Sequence, residues 1–136
     1  MKEGYSLKKA MILLCSLILL AGCSSVKHNK KAESSIAQVI KKGKSHEIDL
    51  NSLTDFTWDK AFIFPPYTVQ ESINKQLGTK FKDPSNIDKR DDIYLLVFLQ
   101  KGKVVQYAEI NRQHVDFSLN NEYLTPEDAI VKILRR

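Results

Sequence analysis

The residues from Ile93 to Leu99 form an unbroken apolar run, Ile-Tyr-Leu-Leu-Val-Phe-Leu. Such a run suits a central β-strand covered on both faces, because a strand with one wet face alternates apolar and polar residues. Lys101-Gly102 can form a tight turn behind it, and residues 103–110 can return as the partner strand. The chain therefore has to build a sheet around this hairpin.

Three further segments have the composition of strands. Residues 47–53 alternate in part, residues 58–64 are aromatic and stop at two prolines, and residues 114–119 alternate Val115, Phe117 and Leu119. We expect the last of these to be the third strand of a meander with the central hairpin. The intervening residues 80–92 are polar and charged, and they are expected to form a loop.

Two helices are expected within this region. Thr68-Val69-Gln70-Glu71 has the spacing of a capping box, and Gly78 can end the helix that follows. Thr125-Pro126 has the residue types that open a helix, which would run to the last residue. The order of elements predicts an α+β fold: a single small domain with an antiparallel sheet of about four strands and helices packed on one face.

The first 23 residues have the parts of an export signal. A lysine-containing start precedes the apolar run 10–20, and the small residues Ala21 and Gly22 precede Cys23. The apolar run is near half of the about 20 residues that a transmembrane helix needs. These features indicate export across a membrane.

Leu20-Ala21-Gly22-Cys23 resembles the lipobox of bacterial lipoproteins. The resemblance implies a signal peptide over 1–22, cleavage before Cys23 and attachment of diacylglycerol to its thiol, so that membrane lipid is a partner of the chain. It places the protein on the extracytoplasmic face of the cell membrane, or on the outer membrane if the source is Gram-negative. Two acyl chains suffice for stable anchoring.

Cysteine usage limits the chemistry of the exported part. The chain has two cysteines, Cys15 in the apolar run and Cys23 at the lipidation position. The mature domain would then have no free thiol, which excludes a disulfide framework, a thiol nucleophile and a cysteine metal site. We expect no cofactor.

Charge divides the mature chain in two. The segment 24–45 holds six lysines and one glutamate, whereas the residues from His46 onward hold more acids than bases. We therefore expect a basic tether over 23–45 and a domain over 46–136, with no nucleic-acid partner. The tether lysines are either solvated or attracted to anionic lipid. Residues 32–42 have helical spacing and would form either a lead into the domain or a partly ordered stalk.

The segment 56–68 is the most aromatic part of the chain. Trp58, Phe64 and Tyr67 are candidates for a binding surface, since Trp and Tyr often anchor interfaces. The favoured interpretation is nevertheless that the aromatic residues of this segment fill the core, as large aromatics do in small domains. The Trp58-Asp59-Lys60 strand and the Phe64-Pro65-Pro66-Tyr67 corner resemble a group of small uncharacterised bacterial lipoproteins, which implies a single domain and no particular site.

His114 and Asp116 are the best candidates for a polar site. They lie two residues apart and would share one face of a strand, where they could orient a general base or offer two metal ligands, with a third from Glu109 or His46. A solvent-facing polar edge of the strand is the favoured interpretation, since Val115 and Phe117 would occupy the opposite, buried face, and no metal site is expected. The sequence thus favours a binding or interaction module of the cell envelope with an envelope or secreted protein as partner. An immunity or inhibitor lipoprotein and an envelope enzyme around His114 and Asp116 are the alternatives.

Overall fold

The computed structural model describes residues 26–136. The expected signal peptide and the lipidation position Cys23 lie outside the described residues. The helices are α1 (Lys30–Lys42) and α2 (Gln70–Leu77), and the strands are β1 (Lys27–His28), β2 (Glu47–Asp49), β3 (Lys60–Phe64), β4 (Ile93–Gln100), β5 (Lys103–Asn111), β6 (Val115–Ser118) and β7 (Ile130–Arg135). Short 3₁₀ turns cover Leu50–Leu53 and Ile87–Lys89. Within these residues, no helix combines the length and apolar character needed to cross a bilayer.

Strand β4 lies inside a four-stranded sheet with the order β1-β5-β4-β3. Its pairings with β3 and β5 are antiparallel, while β1 adds to β5 in parallel. All of its residues except the last are buried, and successive side chains enter two different apolar clusters. The turn behind it has positive φ at both Lys101 and Gly102, as a tight hairpin requires. The sequence-based prediction for this hairpin is confirmed.

The two faces of this sheet are covered differently. Helix α2 packs Ile73 and Leu77 against Leu95 and Val97 on one face. The opposite face is covered by α1 and by a second, three-stranded sheet with the order β2-β7-β6. The fold is therefore mixed α+β in one small domain, but the prediction of one sheet with helices on a single face is wrong. A strand that is apolar on both sides needs other elements packed on both faces of its sheet. Helices on a single face would leave the apolar side chains of the other face exposed to water.

The C-terminal segment is a strand where the sequence predicted a helix. Thr125 and Asp128 close a turn through reciprocal backbone hydrogen bonds of 3.0 and 3.2 Å, and β7 follows. Val131 and Ile133 are buried and their neighbours face outward, which is the period of a strand. Strand β6 pairs with β7 in this second sheet, so it is not the third strand of a meander with β4 and β5.

Helix α1 is part of the domain. Asn29 caps its start, Gly43 ends it in the left-handed conformation, and its side chains Ile36 and Ile40 are buried in the core. The folded unit therefore extends back to Val26, so the expected boundary at residue 46 lies too late. Most of the expected tether is folded.

Helix α2 begins without the expected capping box. Val69 is the residue before the helix, and no side chain caps the helix at that position. The hydroxyl of Thr68 instead donates to the carbonyl of Pro65 at 2.6 Å, which closes the corner made by the two prolines. Gly78 ends the helix with φ 71°, as expected.

Candidate functional site

The three aromatic residues of the predicted binding surface do not lie together. Trp58 is 5% exposed and belongs to the cluster under α1, whereas Phe64 is 1% exposed and belongs to the cluster under α2. The indole N–H of Trp58 donates to the hydroxyl of Thr54 at 3.2 Å, so its one polar atom is satisfied inside the fold. Trp58, which lies two residues before β3, and Phe64, the last residue of β3, are therefore core residues and not part of a binding surface.

Tyr67 differs from the other two because its side chain is 61% exposed. Its backbone has φ 66°, and its N–H donates to the carbonyls of Ile87 at 2.9 Å and Arg90 at 3.3 Å. A positive φ is costly for a residue with a bulky side chain, so these bonds must hold the corner in place. Val69, two residues on, is 54% exposed. The fold thus presents an aromatic ring on a fixed backbone, which is a property of residues that anchor interfaces.

His114 and Asp116 are not brought together as a catalytic pair. His114 is exposed in the turn between β5 and β6 and has φ 68°. Asp116 instead accepts a hydrogen bond from the Tyr94 hydroxyl at 2.8 Å and contacts Arg112 at 2.9 Å and Arg136 at 3.2 Å. These partners occupy the carboxylate that would have to orient the His114 imidazole as a general base.

The environment of Asp116 also disfavours base chemistry. The hydrogen bond from Tyr94 lowers the pKa of the Asp116 carboxyl, and the hydrogen bond and charge of Arg112 and the charge of Arg136 add to this effect against an opposing contribution of burial. Burial, together with the negative charge of Asp116, raises the pKa of Tyr94. A carboxylate with a lowered pKa is a weaker proton acceptor at neutral pH. The contacts of Asp116 with Tyr94, Arg112 and Arg136 form a network. Because Tyr94 lies in β4 and Asp116 in β6, this network joins the two sheets.

A different cluster combines groups that the sequence did not associate. His28, Glu33 and Glu109 offer one nitrogen and two carboxylate oxygens within 4.8 Å of one another. The Nε2 atom of His28 contacts Glu33 and lies 3.8 Å from Glu109, whose other oxygen is 3.3 Å from Arg90. His and carboxylate ligands of this kind can hold a divalent cation, but Arg90 already balances part of the negative charge.

The position of this cluster explains its structural role. The backbone N–H of Glu109 donates to the Glu33 carboxylate at 2.7 Å, and Asn29 donates to the carbonyl of Tyr107 at 2.8 Å. The ring of His28 stacks on Tyr107 with 4.5 Å between ring centroids. The cluster therefore closes the edge of β5 where β1 ends. No sequence spacing could reveal it, because its members lie at positions 28, 33 and 109.

A basic groove lies on the α2 side of the sheet, beside the start of the described chain. It has a volume of about 490 Å³ and contains three lysines and no acidic residue among the residues that line it, Val26, Thr79, Lys80, Phe81, Lys82, Pro84, Lys103, Val104 and Tyr107. We call it the lysine groove. The sequence did not indicate it, because Lys103 follows the other two lysines by about twenty residues and only the packing of the 79–84 loop beside β5 brings them together.

Comparisons with protein-family models, curated proteins and solved structures give no match for this chain.

Proposed function

We propose that the protein is a lipoprotein anchored through diacylglyceryl-Cys23 on the extracytoplasmic face of a membrane, where it acts as a binding module of the cell envelope. The observation that carries the proposal is the Leu20-Ala21-Gly22-Cys23 sequence directly behind a basic start and an apolar run. An export signal of this form delivers the chain to the outside of the membrane, and two acyl chains give stable attachment.

The start of the fold supports a specific version of this proposal. Strand β1 begins at Lys27, and Val26 already lines the lysine groove. A residue spans at most about 3.6 Å of extended chain, so the three residues from Cys23 to Val26 can reach no further than about 11 Å. The domain would therefore rest near the bilayer surface, where it would not move freely on a long tether.

Tyr67 supports the assignment as a binding module. It combines an exposed aromatic ring with a backbone held by two hydrogen bonds, and Val69 adds apolar surface next to it along the chain. An anchor that is already ordered loses little conformational entropy on binding. The partner would be an envelope or secreted protein, and inhibition of a secreted toxin is one form that such binding could take. Catalysis at Asp116 is less well supported, since Tyr94, Arg112 and Arg136 occupy its carboxylate.

The anchor can be tested by replacing Cys23 with Ser. We expect the Cys23→Ser variant to lose incorporation of a palmitate analogue and to leave the membrane fraction. The matched control is Cys15→Ser, which removes the other thiol of the chain from a segment expected to be cleaved off. Persistence of both label and membrane attachment in the Cys23 variant would refute the proposal, and so would loss of label in the Cys15 variant with Cys23 intact.

A further inference from the structure

The lysine groove has the charge and shape of a site for an anionic group. Lys80, Lys82 and Lys103 are all exposed, and none of the three forms an ion pair in the described part of the chain. Val26, Val104 and Tyr107 give the groove partly buried apolar walls between these charges. Lysine stems can lie along such walls while the ammonium groups stay in water. The groove is therefore amphipathic as well as positively charged.

Its place in the fold puts it close to the proposed anchor. Val26 lines the groove and is three residues behind Cys23, which limits the separation to about 11 Å. Helix α1 is 13 residues long, and its last lysines, Lys41 and Lys42, lie about 17 to 18 Å along its axis from its first residue. Within the described part of the expected tether, Val26 alone lines the groove.

We propose that the lysine groove binds the head groups of anionic phospholipids of the membrane that anchors the chain, and so fixes the orientation of the domain on the bilayer. The inference rests on the proposed anchoring at Cys23. The anchor confines the groove to the lipid surface, so that even weak contacts act at a high effective concentration. Anionic head groups attract basic residues that lie within a Debye length of the surface. In this orientation α2 and the 79–84 loop lie towards the bilayer.

Hydrogen–deuterium exchange of the lipidated full-length protein in vesicles tests this orientation. We expect the amides of residues 79–83 to exchange about threefold more slowly in vesicles of phosphatidylcholine with phosphatidylglycerol than in phosphatidylcholine alone. We also expect the difference to disappear in 1 M salt, where the Debye length is about 3 Å. Equal exchange in the two kinds of vesicle would overturn the proposal.

Two triple variants provide matched controls of equal charge change. The variant with Lys80→Gln, Lys82→Gln and Lys103→Gln should lose the protection of residues 79–83, whereas the variant with Lys41→Gln, Lys42→Gln and Lys44→Gln should keep it. Equal loss in both variants would contradict a groove-specific site. Flotation of each protein with the vesicles reports on the anchor separately: protein that floats without protection refutes the groove alone, and protein that does not float in neutral vesicles refutes the anchor.

Discussion

The side-chain amide of Asn29 donates a hydrogen bond of 2.8 Å to the side-chain carbonyl of Gln106, which lies 77 residues further along the chain. Both residues are buried. The carbonyl of the same Asn29 side chain accepts from the N–H of Ala32 at 2.9 Å and so caps α1. One residue thus joins the segment behind the proposed anchor to helix α1 and to strand β5.

Replacing Asn29 with Ala should destabilise the domain. The change removes a helix cap, which costs about 0.5–2 kcal/mol, and leaves the buried Gln106 without this partner, which costs about 1–3 kcal/mol. Denaturant unfolding of Asn29→Ala, Gln106→Ala and the double variant would measure the coupling. We expect the double variant to lose less stability than the sum of the two single variants. Strict additivity would show that the two side chains act independently.

Helix α1 should be required for folding. Ile36 is 1% exposed in the core, and Ile→Ala changes at such sites cost about 2–5 kcal/mol. Thermal unfolding should show this loss for Ile36→Ala and almost none for Gln38→Ala, which lies on the exposed face of the same helix. A chain that starts at His46 should lack a cooperative transition, and a cooperative transition of wild-type stability would contradict the placement of α1 in the core.

Trp58 and Tyr67 should respond oppositely to substitution. Trp58→Ala should cost about 3–5 kcal/mol of unfolding free energy because it empties a buried site against Phe98. Tyr67→Ala should leave the melting profile nearly unchanged, since exposed substitutions usually stay within about 0.5 kcal/mol. The same Tyr67 variant should capture less of the partner protein in cross-linking of intact cells.

Tyr123→Ala is the matched control for partner capture. Tyr123 is also an exposed tyrosine, but its ring packs against Phe62 and lies under the Lys60 ammonium group. If the Tyr67 and Tyr123 variants capture the partner equally well, the Tyr67 corner is not the binding surface.

The Asp116 network should make part of the stability depend on pH. Because Tyr94 and the two arginines lower the pKa of Asp116 in the fold, this group stabilises the protein above the pKa of an unfolded aspartate, about 3.9. That contribution is lost as the pH falls through the lower folded pKa. Asp116→Asn should therefore be less stable than the wild type at pH 7, and urea unfolding should show the difference shrinking below about pH 4. A difference that stays constant to pH 2 would contradict this account.

Local sequence signals were sufficient to predict the central hairpin of β4 and β5. The run from Ile93 to Leu99 can be satisfied only by burial on both faces, and Lys101-Gly102 supplies the turn. The ends of α1 and α2 at Gly43 and Gly78 could be predicted for a similar reason, because glycine readily adopts the left-handed conformation that ends a helix.

The remaining features depend on partners that are distant in sequence. The apolar residues of the C-terminal segment fit the period of a helix as well as that of a strand; they are Ile130, Val131, Ile133 and Leu134. The segment forms a strand because it pairs with β2 and β6. His28 reaches Glu109 only because β1 adds in parallel to β5. The lysine groove likewise needs the 79–84 loop to pack beside Lys103 and Tyr107. Periodicity carries no information about such long-range neighbours.

The intact mass of the protein extracted from membranes gives a direct test of lipidation at Cys23. We expect a chain that begins at Cys23 and carries the added mass of a diacylglyceryl group, with fragmentation placing that mass on the first residue. A chain that retains residues 1–22, or one that begins at another residue without lipid, would refute the lipoprotein proposal.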